Sequence, residues 1–139
     1  MQAPPPDFAA ELAGQLAFLS AVLGGFAATF AGTLLAVDSP RRAVGWALSA
    51  AVVAAAALIV ATVAFTGAVL AIRSGSEVQI ASLPRYGATA LGSFVVGLYG
   101  LFGALGLSGW VRSRRAGWVT TSIAVVGALL ATSALVAVG

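Results

Sequence analysis

The chain alternates long apolar blocks with short polar clusters, and the blocks run from Phe8 to Val37, Ala43 to Ile72, Tyr86 to Val111 and Ala116 to Val138. A helix of about 20 residues crosses a hydrocarbon layer of roughly 30 Å, so each block is long enough to span a bilayer. The pattern predicts an all-α membrane protein with four transmembrane helices in an up-down bundle, forming a single domain over residues 1–139. The clusters between the blocks are too short to hold a soluble module.

Within the first block the apolar pattern has a finer structure. At 100° per residue, Ala10, Gly14, Ala17, Ala21, Gly24, Ala28 and Ala31 share one side of the helix. Side chains this small let another helix approach closely, so this side reads as a helix-packing seam. Leu12, Leu16, Leu19, Leu23, Phe26, Phe30 and Leu34 lie opposite, a bulky side suited to lipid or to a wide gap. Between the two sides, within roughly 40° of one another, lie Glu11, Gln15, Val22, Thr29 and Thr33. This narrow polar stripe, with an ionisable group at its amino-terminal end, is the candidate line of function. Ahead of it, Pro4, Pro5 and Pro6 form a stiff lead-in, and Asp7 is placed to cap a helix starting at Phe8.

The later blocks repeat the theme with different punctuation. Asp38 to Arg42 reads as a tight polar turn, and Arg73 to Arg85 as the longest connection. In that connection Gly75 is expected to end the second helix, and Ser82 with Pro84 to begin the third. Val78 and Ile80 alternate with polar neighbours, which suits a short extended or interfacial segment. The third block carries glycine at 97, 100, 103, 106 and 109. Three residues turn a helix through 300°, so these glycines precess by about 60° per step and expose backbone to several neighbours in succession. Thr62 and Thr66 in the second block are expected to bond back to their own helix carbonyls.

Composition narrows the class further. With 60% hydrophobic and only 8% charged residues, the chain falls well below the about 25% charge of a soluble domain. Cysteine, histidine and lysine are all absent, which removes disulfides, thiolates, haem ligation and nearly every transition-metal site. No span holds paired carboxylates, so acid-base and nucleophilic mechanisms lack their residues, and no enzyme and no cofactor is expected. The net charge of +3 reflects Arg distributed among loops, which membrane topology explains better than nucleic-acid binding.

Counting those arginines orients the chain. Two follow the first span and three the third, while the middle connection has two offset by Glu77 and the termini have none. By the positive-inside rule this is a multi-pass protein of the cell membrane with both termini non-cytoplasmic. Trp46, Trp110 and Trp118 all sit at the same Arg-rich boundary. The amino terminus lacks the basic region of a secretory signal, so the first span is expected to be retained.

Two short stretches resemble parts of known four-span families. AAEL at 9–12 resembles the first-span motif of small multidrug resistance transporters, which carry one Glu there; their Trp-Ser-Gly signature is missing from the third span. LGGFAA at 23–28 is weakly similar to the Leu-Ser-Gly-Phe-Ala stretch of Orai-type calcium channels; that family's acidic residue at the far end of the helix is missing. The residues therefore assign no family. They support two functional expectations. In one, the protein self-assembles as a homo-oligomer and passes an ion or small solute, with Glu11, Gln15, Thr29 and Thr33 bordering the pore and Gly14, Ala17, Ala21, Gly24 and Ala28 forming the packing seam. In the other, it is a non-catalytic scaffold or accessory subunit of a larger membrane complex. In both, the lipid bilayer is a partner and nucleic acid is not.

Overall fold

The computed structural model describes residues 6–37, 42–74 and 77–138. They form four helices: α1 (Pro6–Leu35), α2 (Arg42–Ser74), α3 (Glu77–Arg112) and α4 (Arg114–Val138). All four contain stretches long and apolar enough to cross a membrane, and successive helices run antiparallel as an up-down bundle. Of the turn expected over Asp38 to Arg42, positions 38–41 lie outside the described residues, as does the helix end expected at Gly75, while Arg42 already belongs to α2.

Two helix starts differ from those expected. α1 begins at Pro6 rather than after Asp7, since proline fits the first turn of a helix, where its missing N–H is not needed. α3 begins at Glu77 and carries Pro84 inside it, so the stretch around Val78 and Ile80 is helical, not extended. By 1.5 Å per residue α2 and α3 are about 50 Å and 54 Å long, well over the thickness of a hydrocarbon layer.

α2 is the central element. Its buried residues, from Val44 through Ala47, Ala51, Ala54, Leu58, Ala61, Ala64 and Ala68 to Ala71, recur at spacings of three and four along the whole helix. Nearly all are alanine, which lets both α1 and α3 pack closely on α2. α1 meets α3 only slightly, and among the described residues α4 touches α3 alone. Val44, Leu58 and Phe65 break the run of alanines, and of these Leu58 marks the register. Leu58 is fully buried and fits against two glycines: a methyl placed on Gly24 of α1 would lie 3.3 Å from Leu58 Cβ, and one on Gly97 of α3 2.5 Å from Leu58 Cγ. A level below, Phe65 of α2 meets Phe94 of α3 edge to face at 6.3 Å.

The glycines of α3 do face successive neighbours. Gly97 and Gly100 oppose Leu58 and Ala54 of α2, Gly103 faces open space, and Gly106 and Gly109 oppose α4 at Thr121 and Thr120. The α3–α4 turn is a single residue. Ser113 donates its N–H to the Gly109 carbonyl at 3.2 Å, continuing α3, and accepts the Gly117 N–H on its own carbonyl at 2.9 Å, opening α4. Its hydroxyl accepts the Ala116 N–H at 3.1 Å, an N-cap. So tight a hairpin needs bare backbone: a methyl on Gly109 would collide with Thr120 Oγ1 and lie 2.6 Å from the Ala116 carbonyl oxygen.

Candidate functional site

The packed face of α1 is centred on Ser20, Gly24, Ala27, Ala31 and Leu34, with Leu16 and Leu23 also turned toward the core. That is a rotation of roughly 65° from the all-small seam read in the sequence. Of the seam residues, Ala10, Gly24 and Ala31 are buried, Gly14 and Ala17 half-buried, and Ala21 and Ala28 exposed. The rotation brings bulky leucines into the space between helices and turns a second line of small residues outward. Ala21, Gly25, Ala28 and Gly32 are all exposed, and nothing lies within 4 Å of a methyl placed on Gly14, Gly25 or Gly32.

The polar stripe lies roughly 160° from the centre of the packed face, although its amino-terminal members Glu11 and Gln15 still border a groove shared with α2. Glu11, Gln15, Val22, Thr29 and Thr33 are all exposed. The two hydroxyls are satisfied within the helix: Thr29 donates to the Gly25 carbonyl at 2.9 Å and Thr33 to the Phe30 carbonyl at 2.7 Å. Glu11 and Gln15 border a depression of about 560 Å³ whose far side is Val69 and Arg73 of α2. Arg73 was not legible as a neighbour of Glu11, because that proximity depends on the register set at Leu58. Ser20 was passed over in the sequence, although its place as the polar residue opposite the stripe was the signal that could have found it. It is fully buried, with its hydroxyl donated to the Leu16 carbonyl at 2.7 Å.

Register also gives depth. Leu58 against Gly24, and Ala47 with Ala51 against Ala31 and Leu34, place Glu11 near the level of Ala71. From Trp46 to Ala71 is about 37 Å of helix, more than one hydrocarbon thickness. Taking the tryptophans as one boundary of the hydrocarbon, Glu11 falls at or beyond the opposite boundary and Thr29 between the two, while Thr33, level with Ser49, lies about 4.5 Å along the helix from Trp46. Trp110 and Trp118 meet at a tilt of 51° with ring centroids 6.1 Å apart on the tryptophan side, where the Trp110 indole donates to Thr121 Oγ1 at 3.1 Å. No group of metal-ligating side chains occurs among the described residues.

Four membrane-length helices, with α1 and α3 packed on the alanine surface of α2 and α4 on α3, define a multi-pass integral membrane protein. No family model, curated protein or solved structure matches the chain.

Proposed function

We propose that this protein self-assembles in the membrane through the outward face of α1, with the polar stripe turned toward the assembly axis. There Gln15, Thr29 and Thr33 border a path for an ion or small solute, and Glu11 stands at its mouth. The observation that carries the reading is the exposed line Ala21, Gly25, Ala28 and Gly32 beside that stripe. A smooth small-residue surface gains little from lipid tails but gains van der Waals contact from another helix. An adjoining polar line is better accommodated between helices than against acyl chains. Glu11 at the headgroup level would attract cations without bearing the cost of burial.

The native chain has no cysteine, which makes the test direct. Gly25→Cys is expected to give a disulfide-linked homodimer on mild oxidation in membranes, whereas Ala27→Cys, on the packed face, gives none. Purified protein in liposomes is expected to pass cations, and Glu11→Gln to reduce that flux several-fold. Cross-linking without flux leaves assembly and removes the pore. Absence of both supports an accessory subunit that meets a different partner.

A further inference from the structure

We propose that the cleft between α2 and α3 on the side away from the tryptophans is a binding site for an acidic phospholipid, with its phosphate on Arg85 and an acyl chain along α2. The cleft has a volume of about 580 Å³. Its floor and wall are Ile59, Val60, Val63 and Ala64 of α2, and its upper rim is Arg85, Tyr86 and Thr89 of α3. The apolar part suits a hydrocarbon chain, and the rim supplies one cation and two hydroxyls, the groups that receive a phosphodiester.

Depth agrees with this division. The Tyr86 ring lies 3.6 Å from a methyl placed on Gly67, and Gly67 is about 31 Å along α2 from Trp46 at 1.5 Å per residue. That is one hydrocarbon thickness from the tryptophan layer, so the Arg85 guanidinium stands at the phosphate level of the other leaflet. The cleft then descends about 12 Å toward Ile59, into the acyl region.

The rim has no competing partner among the described residues. Among the described residues Arg85 forms no ion pair, and neither the Tyr86 nor the Thr89 hydroxyl is hydrogen-bonded. The Thr62 and Thr66 hydroxyls of α2, which do not line the cleft, are donated to the Leu58 and Thr62 carbonyls, at 2.9 Å and 2.8 Å. Among the described residues α4 does not come to this level: Phe102 opposes Gly127 and Tyr99 bonds Thr132, which puts Val138 near the level of Leu91. The site lies across the α2–α3 pair from α1, so it stands independently of assembly through α1.

The test uses full-length protein reconstituted in vesicles of equal parts phosphatidylglycerol and phosphatidylcholine, extracted gently, with retained lipid read by native mass spectrometry. Phosphatidylglycerol is expected to be retained preferentially, one molecule per protomer. Arg85→Gln is expected to lower that retention about fivefold, and Val63→Trp, which fills the cleft and leaves the cation in place, to lower it comparably. Soluble glycerol phosphate is expected not to displace the lipid. Retention unchanged in Arg85→Gln overturns the proposal. So does displacement by glycerol phosphate, which marks a simple anion site, and so does protection of the cleft by a second protomer in place of lipid.

Discussion

Glycine has opposite meanings at neighbouring positions of α3. A methyl placed on Gly97 would meet the fully buried Leu58, lying 3.2 Å from its backbone nitrogen as well as against its side chain, so nothing nearby can yield easily. Gly97→Ala is expected to destabilise the protein by about 1–3 kcal/mol through overpacking. Gly103 has nothing within 4 Å, and Gly103→Ala is expected to be neutral or to stabilise by up to about 1 kcal/mol through helix propensity. Thermal unfolding in mild detergent, followed by tryptophan fluorescence, should move the two midpoints in opposite directions or move only the first. The precession of these glycines was legible from spacing alone. Which of them met a neighbour was not, because that depends on where α2 and α4 stand around α3.

At the scale of elements, the four spans were legible because length and hydropathy decide them, whereas their ends and rotations were not. Pro84 reads as a helix start, yet α3 runs through it from Glu77. A proline removes one N–H and clashes with one preceding carbonyl, and two turns into a helix that local cost does not end α3. The rotation of α1 was hidden for a different reason. Its small side and its bulky side are both apolar, and hydrophobicity cannot choose between them in lipid; only the shape of α2's alanine surface does. The α3–α4 hairpin gives the sharpest prediction at this scale. Ser113→Ala removes the cap on the Ala116 N–H and is expected to cost about 1 kcal/mol. Hydrogen exchange should quicken in the first turn of α4 while α2 is unchanged.

For the molecule as a whole, the packing is a row with a strong centre: α2 is covered on two sides, while α4 is covered on one and is largely exposed. Leu58, held between Gly24 and Gly97, joins three helices at one level, so the depth of every polar group follows from it. The arginine distribution predicts that a short epitope tag after Gly139 is reached by a membrane-impermeant antibody in intact cells, and that one in the α3–α4 turn is not. A tag protected at Gly139 would reverse the orientation and place Glu11 and Arg85 in the cytoplasmic leaflet. The one-residue turn at Ser113 has a consequence for how the chain enters the bilayer. With no slack between them, α3 and α4 cannot choose their directions separately, and three arginines at the tip resist transfer across the hydrocarbon. The two helices are therefore expected to enter as a pair, so that the least hydrophobic span is carried in by its neighbour.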